Sequence, residues 1–183
     1  GIPALEYLLF SEVSSDSLLT ATDRQKRCEV SSAIAQNLLN MSTDITADWQ
    51  ATGGNYRAEF VAGKGDFTSV KNTLEELTTN WLQHIEIVED TKLNEVLGGS
   101  PPGNARDAEH YLSDKSLTSI SINIHRFLSI YTNDDGLGFD SILADFLEQQ
   151  TINQEITASL TTIVAQIEQI NQNFDSYETM LAD

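Results

Sequence analysis

The sequence predicts an all-α protein, an up-down bundle of four main helices with short accessory helices. Three observations carry that expectation. Apolar residues recur at spacings of three and four over long stretches, the period of one helix face. The 3 prolines fall at Pro3, Pro101 and Pro102, leaving long stretches that can stay helical. No segment sustains period-two alternation; Ile120, Ile122 and Ile124 alternate, but helical neighbours continue on both sides.

The opening segment Gly1 to Phe10 reads as a short helix with Pro3 in its first turn, where a missing N–H costs little. From Thr22 to Gln50, Val30, Ile34, Leu38, Met41, Ile45 and Trp49 form one helical stripe. Thr22 or Asp23 can cap its start, and Gly53-Gly54 ends it. A short helix is expected at Asn55 to Val61, before the loop Gly63-Lys64-Gly65-Asp66. A second long stripe runs Val70, Leu74, Leu77, Trp81, Ile85 and Val88 to Val96, started near Thr68 and stopped by Gly98-Gly99. The clearest long loop follows at about 98–113, around Pro101-Pro102-Gly103-Asn104. Leu117, Ile120, Ile124, Phe127 and Tyr131 mark a third helix, ended by Asn133-Asp134-Asp135-Gly136, and Phe139 to Leu147 a shorter one. The last helix is the most regular, from Ile152 through Ile156, Leu160, Ile163, Ile167, Ile170, Phe174 and Tyr177 to Leu181. Its three-four spacing suits antiparallel bundle packing.

Length and charge bound the function. A chain of 183 residues can bury a substantial core, and 40% hydrophobic with 21% charged residues is ordinary globular composition. Lys and Arg number 10 against 28 Asp and Glu, a formal net charge of −18. That field repels phosphate backbones and anionic headgroups, which argues against nucleic acid and membrane-surface partners, and it attracts cations. Acidity also serves plain solubility, the more frequent reason for it. Cys28 is the only cysteine, so an intrachain disulfide cannot form. No apolar run reaches the roughly 18 residues of a membrane span. The chain opens on Gly1 with no visible signal peptide, as a processed or excerpted chain would.

Most motifs that carry chemistry are missing. His84, His110 and His125 lie in separate segments, without HExxH or an i,i+4 pair. His84 and His125 flank core stripes; His110, after Glu109 in the long loop, is the histidine best placed for a functional role, though a solvated surface His is commoner. Glu86 and Asp90 share one helix face and could bind a hard cation, but a solvated acidic face is the commoner arrangement. Cys28 beside Arg27 reads as a small buried helix residue. Gly63-Lys64-Gly65 lacks the spacing of a phosphate-binding loop, and no nucleophile elbow occurs. Glu6 is different: it stands inside an otherwise apolar helix. A carboxylate there needs a cation, a metal or donors, unless it simply faces water; composition leaves both open.

At this point the residues suggest a family. GIPALEYLLF resembles the imelysin-like family, whose hallmark is Gly-x-His-x-x-Glu at a helix start, and especially its envelope-lipoprotein branch with Pro in place of His. Later features agree in order: Arg27-Cys28, Asp48-Trp49, Tyr56-Arg57-Ala58-Glu59-Phe60, Lys92-Leu93 before Val96-Leu97-Gly98, and Ala108-Glu109-His110-Tyr111-Leu112-Ser113-Asp114-Lys115-Ser116-Leu117. Together they span most of the chain.

The resemblance implies a single helical-bundle domain over 1–183, with the motif at 1–10, matching mainly the C-terminal half of a two-bundle protein. It implies a periplasmic or outer-membrane lipoprotein associated with iron acquisition. Its implied partners are a metal or small ligand, envelope iron-transport proteins, and the N-terminal half of the same protein, in one chain or as a separate one. The implied ligand-lining residues are Glu6, Arg27, Lys92 and Ser116, with Glu6 the one metal-facing group and iron or another divalent metal the expected cargo. Two departures weigh against a metallopeptidase. Pro3 fills the His position of the motif, and Leu117 stands where a second His is expected after Ser113-Asp114-Lys115-Ser116. A lone carboxylate does not hold a catalytic zinc. A non-catalytic binding protein is therefore the first reading, an imelysin-type metallopeptidase the second, and a structural or interaction module joined by a Glu6–Arg27 pair the third.

Overall fold

The structure is a computed structural model and describes residues 1–12, 19–98, 103–133 and 136–182. All regular structure among the described residues is helical, and the expected all-α bundle fold is what forms. The chain divides into two compact units, Gly1–Leu82 and Gln83–Asp183. They differ in how their apolar residues are used.

In the first unit, α1 (Ile2–Phe10) carries Pro3 in its first turn and packs on the start of α2 (Ala21–Trp49). The cap of α2 is Thr20, two residues before the earlier of the expected caps, Thr22. Its Oγ1 accepts from the Asp23 N–H at 3.2 Å and donates to Asp23 Oδ2 at 2.5 Å, closing the first turn from both sides. The helix ends at Trp49, and the glycines that follow make the turn rather than the stop. A Cβ on Gly53 would lie 2.0 Å from the Ala47 carbonyl oxygen. Asn55 then adopts φ 55°, and α3 (Tyr56–Ala62) runs on to Gly63 at φ 59°. Ser69, not Thr68, caps α4 (Val70–Ile87): its Oγ accepts from Asn72 N–H, while Asn72 Oδ1 accepts from Thr68 N–H. The unit boundary falls within α4.

The apolar stripe of α2 is not buried. No residue of this 29-residue helix is buried, and Val30, Met41, Ile45 and Trp49 are exposed. An aromatic ring cluster lies in this unit, in which Trp49 meets Tyr56 and Phe60, and both of these meet Phe67.

The second unit holds the buried apolar core, from Val88 to Tyr177. The main contact is between α6 (Ser116–Thr132) and α8 (Gln150–Asn173). Leu117, Ile120, Ile124, Phe127 and Tyr131 of α6 meet a face that includes Leu160 and Ile167, the stripes read from sequence. Tyr131 donates from its hydroxyl to Asn153 Oδ1 at 2.8 Å, so its buried oxygen is satisfied. His125 fastens the outer edge of the same helix pair: Nε2 lies 2.9 Å from Glu168 Oε1, and Nδ1 lies 2.8 Å from the Ser121 carbonyl. The carbonyl and the carboxylate hold its pKa above the ordinary imidazole value.

Three elements depart from the sequence reading. The second long helix widens after Ile87 into a π-helical segment, Val88–Asn94, in which Glu95 N–H reaches back five residues to the Asp90 carbonyl. It continues as α5 (Glu95–Leu97), ended by Gly98 at φ 77°. The shorter helix is likewise mixed, α7 (Phe139–Ser141) followed by a π-helical turn over Ile142–Phe146. The last helix is two: α8 stops at Asn173, Phe174 is extended, and α9 (Tyr177–Ala182) starts afresh. Ser176 enforces the break, its N–H donating to Thr179 Oγ1 and its Oγ accepting from Thr179 N–H. Pro101-Pro102 and Asp134-Asp135, expected in the long loop and at the stop after Tyr131, lie outside the described residues.

Candidate functional site

The four residues singled out by sequence fall in two places, one in each unit. In the first unit, α1 is short; the Ser11 N–H reaches its Tyr7 carbonyl at 3.2 Å, and its last carbonyls call for further donors. Arg27, half-buried on α2, supplies them. Its Nη2 donates to the Leu8 carbonyl at 2.8 Å, the Tyr7 carbonyl at 3.3 Å and Ser11 Oγ at 3.3 Å. The guanidinium also lies 5.9 Å from the centre of the Tyr7 ring. A cation at a helix C-terminus is favoured by the axial dipole as well as by these bonds. The expected Glu6–Arg27 ion pair does not form, because Arg27 is turned to the helix end while Glu6 stands half-buried on α1.

Beside this clamp α1 and α2 leave a groove of ≈ 330 Å³, lined by Leu8, Leu9, Arg24, Arg27, Cys28 and Ser31 among others. Arg24 and Arg27 stand three apart on one helix face, with Ser31 one turn further on. Arg24 is steadied by a 2.8 Å bond from Nη1 to the Leu19 carbonyl. Two guanidiniums over an apolar floor can take an anion whose remainder is apolar or hydroxylated. Sequence reasoning named Arg27 and missed Arg24, although the Arg24–Arg27–Ser31 spacing was there to find it.

In the second unit, Lys92 and Ser116 do come together, through Glu109. The widened turn presents Lys92, whose Nζ lies 2.6 Å from Glu109 Oε2 and 3.2 Å from Ser119 Oγ. The Lys92 carbonyl accepts from the Tyr177 hydroxyl at 2.6 Å, and burial pushes that phenol up to about 12. Ser116 Oγ donates to the Glu109 carbonyl, and His110 Nε2 lies 3.7 Å from Glu109 Oε1. Glu109 thus joins the loop to the π-helical segment and to the start of α6. Its importance was not visible in sequence, since Lys92 and Glu109 lie far apart in the chain. Lys92 therefore has a partner of its own here.

The Lys92 ammonium, hydrogen-bonded to Glu109, holds that carboxyl below the usual carboxylate range despite partial burial. A depressed carboxylate stabilises the fold above its unfolded pKa and loses that contribution as pH falls through the native value. Because Glu109 is half-exposed, the pair contributes on the order of 1 kcal/mol after solvent screening. Urea denaturation of Lys92→Met is expected to show the wild-type loss at pH 7 shrinking toward zero below about pH 4. An equal loss at both pH values would mean that the ammonium acts through packing alone.

Comparison with known proteins places the family. The imelysin family model, a peptidase family, matches residues 1–183, so this chain belongs to the imelysin family. No curated protein and no solved structure matches it.

The family's peptidase class raises the question of a metal. The Pro3 side chain has no ligand atom. Among the described residues, no group of three or more His, Cys, Asp and Glu side chains could hold a metal ion. Among the described residues, the donors do not form the ligand set of a catalytic zinc. Among the described residues no helix is long and apolar enough to cross a membrane.

Proposed function

We propose that this chain is a non-catalytic bacterial envelope protein, periplasmic or lipid-anchored at the outer membrane, that serves iron uptake by binding an anionic metal complex or small anionic ligand. The observation that carries the reading is the α1–α2 groove, where Arg24 and Arg27 stand together in a chain of net charge −18. Bare cations are drawn to the acidic surface at large, whereas two guanidiniums over Leu8 and Leu9 select an anion with an organic body. Arg24 and Arg27 bind its carboxylates, Ser31 offers a hydroxyl, and Glu6 adds the one motif carboxylate for the metal of a complex. Lys92 and Ser116 serve by fixing the loop around Glu109.

The exposed stripe of α2 supports a partner. A face carrying Val30, Met41 and Ile45 is covered in the assembled protein, and the N-terminal half of the same protein is the occupant proposed here. Envelope iron-transport proteins are the further partners this reading entails.

The test is calorimetric titration of ferric citrate, citrate and zinc ion into the chain, with Arg24→Gln and Glu6→Ala as variants. Saturable ferric citrate binding is expected, weakened about tenfold in Arg24→Gln, as removal of one charged hydrogen-bond donor predicts. Binding of zinc alone, lost in Glu6→Ala and accompanied by chelator-sensitive peptide cleavage, would establish the peptidase reading that the family name suggests. Absence of any binding would leave the structural role.

A further inference from the structure

We propose that the elbow between α2 and α3 is a second binding site, for a small planar aromatic carboxylate. It shares no lining residue with the α1–α2 groove and stands independently of the function assigned there.

The elbow encloses a groove of ≈ 470 Å³ lined by Trp49, Asn55, Arg57, Ala58, Val61 and Ala62 among others. That size suits a ligand of one or two rings. Its wall is held rigidly. The Trp49 indole meets Tyr56 edge-on at 5.1 Å and Phe60 at 5.7 Å, and both rings rest on Phe67 at 5.8 and 5.3 Å. This packing fixes the indole, yet Trp49 remains 42% exposed and contributes to the groove. Turn geometry fixes the rest: the close approach at Gly53 and the left-handed Asn55 reverse the chain so that Arg57 and Trp49 line the same groove.

Arg57 is the second element. No ion pair or hydrogen bond engages it among the described residues, although the chain carries 28 acidic side chains. An arginine left open beside a fixed indole offers two recognitions at once. The guanidinium takes a carboxylate through two parallel N–H donors, and the indole takes a ring by stacking or edge contact. The remaining lining is chiefly Ala and Val, which favours an apolar body over a sugar or a phosphate. An aliphatic acid would satisfy Arg57 and leave the indole without its aromatic contact.

The experiment is a ligand-observed NMR titration of 2-naphthoate against the full chain, with cyclohexanecarboxylate as the non-aromatic comparison. Saturable naphthoate binding is expected, about tenfold weaker for cyclohexanecarboxylate and about tenfold weaker in Arg57→Gln. Because Arg57 is exposed and engages no partner among the described residues, Arg57→Gln is expected to keep the wild-type circular dichroism spectrum and Tm, so weaker binding cannot be laid to unfolding. A Trp49→Leu variant that retains helicity should lose the preference for the aromatic acid while still binding both weakly. No saturation up to millimolar naphthoate overturns the proposal. So does binding that Arg57→Gln leaves unchanged, or that Arg24→Gln abolishes instead, which would put the ligand in the α1–α2 groove.

Discussion

Ile120→Ala is expected to destabilise the 83–183 unit by about 3 kcal/mol, the usual cost of emptying a fully buried isoleucine site. Ile120 is 1% exposed, on the face of α6 that meets α8. Neighbours such as Leu117, Ile124 and Leu160 are themselves buried and cannot all close the space left behind. For a unit of this size that loss corresponds to a fall in Tm on the order of 15 °C. Ile122 gives the internal control. It lies on the same helix, two residues away, but is 57% exposed, so Ile122→Ala should stay within about 0.5 kcal/mol of wild type. The two variants differ only in which side of α6 they strip. Equal losses would mean that the face read as core does not pack against α8 in solution.

That contrast marks what the sequence could reveal. A stripe at spacings of three and four identifies which side of a helix is apolar, and for α6 and α8 this identified the buried core correctly. For α2 the same reasoning found a stripe of the same kind, but the described residues leave it exposed. Amphipathicity states that a face requires cover; it does not state what provides it. Helix breaks were illegible for a related reason. The apolar rhythm passes through Phe174 unbroken, whereas the chain is stopped by a local Ser176–Thr179 cap whose hydrogen bonds no hydrophobic pattern records. The widening at Val88–Asn94 inserts a residue into the turn without disturbing composition at all. The candidate site was legible in part through family likeness, which named Arg27, Lys92 and Ser116. Their partners were not, because the Tyr7 and Leu8 carbonyls and Glu109 meet them only through tertiary packing.

Arg27 decides whether the motif helix is held at all. Its guanidinium bonds the Leu8 and Tyr7 carbonyls and the Ser11 hydroxyl at the C-terminal end of α1. Charged hydrogen bonds of this kind contribute roughly 1.5–3 kcal/mol together with the helix-end interaction, and here they are shared among three acceptors. Arg27→Gln is therefore expected to raise amide hydrogen exchange in α1 by about 30-fold, the equivalent of about 2 kcal/mol of local opening, while α6 and α8 exchange as in wild type. Lysine at the same position keeps the charge but not the planar fork, and it should restore protection only in part. The pattern separates two roles that otherwise coincide. If Arg27 acts solely on an anionic ligand, exchange in the ligand-free chain is the same in wild type and variant. If it is the clamp that presents Leu8, Leu9 and the motif to the groove, α1 loosens before any ligand is added, and weaker binding follows from that loss of preorganisation.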